Sequence, residues 1–135
     1  NMNQIILASH GPLAQGMKES IEFFLGPTSI VCLTQTKEES GLQQEIESVL
    51  RACAGRHVIV FTDMIGGSVN QMFTRALEHH DFLLVSFMHL GLILECVLQQ
   101  GNIDASMLQE MIDATKRQCL LMNEWMDQQQ QDGEE

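Results

Sequence analysis

VIVFTDMIGGSV, residues 58–69, decides the fold. Val58 to Phe61 is a short run of branched and aromatic apolar residues, which reads as a strand buried on both faces. Thr62 to Gly67 reads as a loop ending in two glycines. Ser68 is placed to cap a helix that buries Met72, Phe73, Ala76 and Leu77. Strand, glycine-bearing loop and helix in this order make half of a βαβ unit.

The same alternation runs through the rest of the chain. Upstream, Gln4 to Ala8 reads as a first strand, followed by Gly11-Pro12. Leu13, Met17, Ile21, Phe24 and Leu25 then recur at helical spacing until Gly26-Pro27. Ser29 to Leu33 is a second strand. Leu42, Ile46, Val49, Leu50 and Cys53 form the stripe of a second helix, ended by Gly55. Downstream, Phe82 to Val85 is a fourth strand and Leu90 to Leu98 a helix, broken by Gly101-Asn102. Asp104 can cap a last helix carrying Leu108, Met111, Ile112 and Thr115. Cys119 to Met122 reads equally as a short strand or a helix extension. This order predicts an α/β fold with three layers, α/β/α, in which a doubly wound, mostly parallel sheet has the order 2-1-3-4. One domain is expected over residues 2–126, with 127–135 a polar, acidic tail expected to be disordered.

Composition narrows the function. Asp and Glu number 18 against 7 Lys and Arg, a net charge of −11. That balance argues against nucleic acid and anionic membrane surfaces, both of which need a basic face. No apolar run approaches the roughly 20 residues of a membrane helix. No basic-then-apolar leader is present, and the native start is expected at Met2, behind Asn1. Cys32, Cys53, Cys96 and Cys119 show neither CxxC spacing nor a nearby histidine pair. They are expected as reduced thiols in a cytoplasmic protein, without disulfide or metal. No cofactor is implied.

Two strand ends carry chemistry: Ser9-His10-Gly11-Pro12 after the first strand, and Thr62 to Ser68 after the third. In a 2-1-3-4 sheet these strands are neighbours, so both loops open on the crevice where such sheets bind ligands. Asp63 can then fix one nitrogen of His10 and leave the other free as a nucleophile. Gly66, Gly67 and Ser68 stand at a helix N-terminus, where free N–H groups attract an anion. A nucleophilic nitrogen beside an anion cradle suits a transferable phosphoryl group. His89 could reach the rim of the crevice. His57 reads as a surface edge residue, and His79-His80 as the cationic end of a helix. Lys18 is the nearest cation in sequence.

ILASHGPLAQGMKESIEFFLG (residues 6–26) and VFTDMIGGSVNQ (residues 60–71) together resemble the IIA component of the mannose/fructose/sorbose family of the bacterial sugar phosphotransferase system (PTS). The resemblance spans residue 4 to about residue 115. Ile65 and Val69 stand where many relatives have the Trp and Pro of WGGSP, and Gly91 where some have Pro. The resemblance implies a phosphotransferase in which His10 accepts a phosphoryl group from phospho-HPr and passes it to a IIB component during sugar uptake. The membrane components IIC and IID would be met only through that complex. It implies that Asp63 bonds the other imidazole nitrogen and that Gly66, Gly67 and Ser68 hold the phosphoryl oxygens. It also implies a homodimer, commonly built by exchange of an additional antiparallel edge strand. The rival readings are a regulatory phospho-acceptor uncoupled from transport and a His/Asp hydrolase.

Overall fold

The computed structural model describes residues 3–37 and 41–133. Its elements are β1 (Asn3–His10), α1 (Leu13–Leu25), β2 (Val31–Gln35), α2 (Leu42–Ala52), β3 (His57–Thr62), α3 (Ser68–Ala76), β4 (Leu83–Val85), α4 (Leu90–Leu98), α5 (Ala105–Thr115) and α6 (Met122–Gly133). The sheet is parallel throughout, in the expected order β2-β1-β3-β4.

Side chains of a strand alternate between faces, so a continuous apolar run means that both faces are covered. Ile5, Leu7, Ile59 and Phe61 pack with Ala14 and Ile21 of α1, Leu92, Ile93 and Cys96 of α4, and Leu108 of α5. Ile6, Ala8, Val58 and Val60 pack on the other face with Ile46 and Leu50 of α2 and with Val69 and Phe73 of α3. Ile6, Leu7, Ala8, Ile59, Val60 and Phe61 are fully buried, and cutting a side chain such as Phe61 to Ala should cost about 3–5 kcal/mol. The interior is dry enough that burial pushes the Cys96 thiol up to about 12.

Three details depart from the sequence reading. Leu77, expected in the core, follows the end of α3 and is exposed. Leu13, Phe24 and Leu25, expected on the helical stripe of α1, are also exposed, at the two ends of the helix; Phe24 stacks edge-on against Phe23 beyond Ile21, the last buried residue of that helix. Cys119 to Met122 makes no strand. Residues 118–121 are irregular, and α6 then runs through the polar segment as far as Gly133, where the sequence reading expects disorder. Met, Glu and Gln are good helix formers and no proline interrupts them, which accounts for the helix. None of its residues is buried.

The sheet order sets the site. β1 and β3 pair from Asn3↔His57 to Ala8↔Thr62. Just beyond this last pair, His10, two residues after Ala8, and Asp63, next after Thr62, therefore emerge on neighbouring strands.

Candidate functional site

His10 is the last residue of β1. Its backbone N–H donates to Asp63 Oδ2 at 2.9 Å, and its ring Nδ1 donates to the same oxygen at 2.7 Å. The carboxylate thus grips both the backbone and the ring, which fixes the rotation of the imidazole and places its proton on Nδ1. The Asp63 side chain is 9% exposed and the His10 ring 44%. Burial lowers the local dielectric and strengthens the contact from the aspartate side. Asp63 Oδ1 is buried with no hydrogen-bond partner among the described residues, so the carboxylate's hydrogen bonding is concentrated on the oxygen facing His10.

The far nitrogen, Nε2, lies 2.9 Å from Ser68 Oγ. Ser68 does not cap α3 as the sequence reading expects. Gly67 occupies the cap position with an extended backbone (φ −69°, ψ 165°), and Ser68 is the first residue of the helix. Its hydroxyl is free to turn toward the imidazole. Gly66 adopts φ 77°, a left-handed conformation suited to glycine. At Gly67 a Cβ would sit 3.1 Å from Met64 Cγ and 3.6 Å from His10 Cε1. A side chain there would press on Met64 and lie in contact with the ring.

The loop is held from below by groups that the sequence reading did not single out. Asn70 Oδ1 accepts from Gly66 N at 3.2 Å, and Asn70 Nδ2 donates to Thr62 Oγ1 at 3.0 Å. Thr62 Oγ1 in turn donates to Val85 O at 3.4 Å, reaching β4. Gln71 Nε2 donates to Gly66 O at 2.7 Å. On the other strand, Ser9 is fully buried and its Oγ accepts from Ala14 N at 2.8 Å, supporting the start of α1. One signal for Asn70 was readable: it is a polar residue among Val69, Phe73 and Ala76 on the buried side of α3.

An imidazole tethered through Nδ1, with its other nitrogen facing a hydroxyl at a helix N-terminus, is an arrangement for accepting a group on Nε2. A family model described as the PTS system fructose IIA component matches residues 4–116. The chain belongs to this family.

A protein from Klebsiella pneumoniae described as a sugar phosphotransferase system permease is 28% identical, covering 93% of this chain and 94% of its own, with a TM-score of 0.81. The PTS IIA protein associated with the fucose utilization operon of Streptococcus pneumoniae is 22% identical over 93% of this chain and 96% of its own (TM-score 0.80). The mannose/sorbose-specific IIA subunit from Enterococcus faecalis is 20% identical over 84% and 89% (TM-score 0.72). These last two speak for the fold. No curated protein matches the chain. As a IIA component, the chain is a phosphoryl carrier of a sugar phosphotransferase system, working with that system's other proteins.

The remaining histidines of this IIA chain are occupied elsewhere. His89 caps α4, its Nδ1 accepting from Leu92 N at 3.4 Å, and lines a cavity of about 550 Å³ with Phe87, Leu90, Gly91, Ile112 and Cys119. His57 is not an edge residue. It opens the central strand β3, is half-buried, and its Nε2 donates to Ile103 O. His80 Nε2 contacts Glu47 Oε2 of α2 at 2.9 Å. His57, His79 and His80 line a cavity of about 690 Å³ at the opposite end of the strands from His10. The charge of Lys18 acts on the Cys32 thiol and the Glu22 carboxylate, on its own helix and on β2.

Proposed function

We propose that His10 is the phosphoryl acceptor, taking its group from phospho-HPr and passing it to a IIB component. One observation carries the reading: a single Asp63 oxygen holds both the backbone and Nδ1 of His10, while Nε2 faces Ser68. The Nε2 lone pair attacks the phosphorus of the donor's phosphohistidine in line. A new N–P bond forms as the donor's N–P bond breaks, and the departing imidazole keeps that electron pair. His10 acquires positive charge, which Asp63 stabilises through the proton on Nδ1. The Ser68 hydroxyl and the Ser68 amide at the start of α3 take the phosphoryl oxygens, while Gly66 N and Gly67 N, expected in the same role, are given to Asn70 Oδ1 and Met64 O and shape the loop instead. Residues 9–12 and 62–68 hold no Lys or Arg. A carrier must release its cargo, and the lack of a strong cationic clamp suits that task.

The domain is taken as residues 2–126, with 127–135 outside it; the family match over 4–116 and a last buried residue at Thr115 support a core that ends before α6, the helix that this boundary crosses. We place the protein in the cytoplasm. No helix among the described residues is long and apolar enough to cross a membrane. We further propose a homodimer. β4 is a sheet edge, and Leu120, Leu121, Met122, Trp125 and Met126 are exposed. Sedimentation at micromolar concentration should give twice 15.2 kDa; the monomer mass would refute the dimer. Incubation with labelled phosphoenolpyruvate, the general phosphotransferase enzyme and HPr should put one acid-labile phosphoryl group on His10. Label on another residue would overturn the assignment.

A further inference from the structure

Asn70 is the single polar side chain among the buried residues of α3, in the company of Val69, Phe73 and Ala76. Burying an amide is costly unless its donor and its acceptor are both used. Both are used here. Oδ1 accepts from Gly66 N at 3.2 Å, and Nδ2 donates to Thr62 Oγ1 at 3.0 Å. The amide cannot be turned over, because the Gly66 N–H needs an acceptor. An apolar side chain of similar size would fill the same place without the cost of burying an amide. Packing therefore does not require Asn70; its two bonds do.

Those two bonds span the site. Thr62 is followed by Asp63, which holds Nδ1 of His10. Gly66 leads through Gly67 to Ser68, whose Oγ lies 2.9 Å from Nε2. One amide thus joins the strand end that grips one side of the imidazole to the turn that delivers the group on its other side. The strand end is fixed independently. Met88 N donates to Thr62 O at 2.9 Å and Phe87 N to Asp63 O at 2.6 Å, from a loop in which Phe87 takes a left-handed φ of 55°. The turn has less support. Beyond its own closing bond, Gly67 N to Met64 O, its remaining bonds come from Gln71: N to Gly67 O at 2.9 Å, and Nε2 of an exposed side chain to Gly66 O at 2.7 Å. We infer that Asn70 is a positioning residue for phosphoryl transfer: it sets the span between Asp63 and Ser68 across the His10 ring. The inference rests on the reading of His10 as acceptor. Asn70 acts through Thr62 and Gly66 and makes no hydrogen bond to the ring. A shift of the turn by about 1 Å would carry Ser68 Oγ out of hydrogen-bond range of Nε2.

The test follows His10 phosphorylation by rapid quench against phospho-HPr concentration. In Asn70→Leu, kcat should fall about 10- to 100-fold, the scale of loss for a slightly misplaced group, with KM for phospho-HPr unchanged. The far-UV spectrum should be unaltered, since Gly66 is exposed and its N–H can turn to water, and Thr62 Oγ1 keeps Val85 O. Coupling to Ser68 is the sharper readout. Ser68→Ala should cost about fivefold in the otherwise unaltered protein. In Asn70→Leu, where the hydroxyl is already misplaced, it should cost less than about twofold. Thr62→Val cuts the same link from the strand side and stands alone as the test if Asn70→Leu does not fold; its kcat should also fall at constant KM. An unchanged kcat in a folded variant, a rise in KM alone, or the full Ser68→Ala loss in Asn70→Leu would overturn the positioning role. Label on a residue other than His10 in the unaltered protein would overturn the acceptor reading itself, and this inference with it.

Discussion

Two histidines in this domain touch a carboxylate oxygen at nearly the same distance: His10 to Asp63 at 2.7 Å and His80 to Glu47 at 2.9 Å. Their burial is reversed. At the first pair the carboxylate is the covered partner and the ring is open, 9% against 44% exposed. At the second the ring is 19% exposed and the carboxylate 39%. Glu47 is also shared with Arg51, one turn along α2. A covered carboxylate is committed to one ring and holds it with the far nitrogen turned outward. An open carboxylate shared between a histidine and an arginine joins α2 to the residues after α3 and leaves no reactive group poised. Distance alone does not distinguish the two; the direction of burial does.

Substitutions at both pairs can break that contrast. The largest effect is expected from His10→Ala, which should abolish acid-labile labelling by phospho-HPr with the far-UV spectrum intact, while His80→Ala keeps full labelling. Label surviving on the His10 variant would erase the distinction. Asp63→Asn should fold but transfer about 30- to 1,000-fold more slowly, corresponding to ~2–4 kcal/mol for loss of a preorganised charge contact. A normal rate would reduce Asp63 to a turn residue. Ser68→Ala removes one neutral hydrogen bond and should slow transfer about fivefold, near 1 kcal/mol; rapid-quench kinetics would resolve it. The smallest effect is expected at the other pair. The Glu47 carboxyl is held below its usual range, first by the hydrogen bond from His80, with burial opposing and nearby positive charge helping. A lowered pKa in the folded state means stabilisation that is present above the unfolded carboxyl pKa and lost as pH falls through the folded value. Glu47→Gln should therefore lower Tm slightly at neutral pH and not at all in acid. Labelling should be untouched; a loss of label in this variant would blur the two pairs.

Much of this arrangement is legible in the sequence because it follows from chain order. Strand-like runs ending at Ala8 and Phe61, each followed by glycines, are enough to place His10 opposite Asp63 once the sheet order is accepted. The role of Ser68 is not legible. Serine before a helix reads as a cap, and only the extended backbone of Gly67 shows that the cap position is already taken. Asn70 shows only as a polar residue on an apolar face, and its role, like that of Thr62, is hidden for a similar reason, since their partners are backbone and side-chain atoms set by the fold of the loop. The left-handed backbone of Phe87 contradicts local preference, so no propensity argument finds it. α6 goes unread because a helix with no buried face leaves no apolar stripe in the sequence.

The clasp at the start of β1 has a consequence for synthesis. The Asn3 side chain donates to Gly101 O at 2.8 Å and accepts from Ile103 N at 3.0 Å, closing a span of about a hundred residues. β1 is also an inner strand, paired with both β2 and β3. β1 leaves the ribosome before β3 and must therefore wait for it before its second edge is covered, and for Ile103 before its start is fastened. At about 5–20 residues per second, a hundred residues take roughly 5–20 seconds to translate. Throughout that interval Ile5, Ile6 and Leu7 have no finished core to enter. The nascent chain thus presents an apolar strand early and buries it late, which makes it a natural client for chaperones at the tunnel exit.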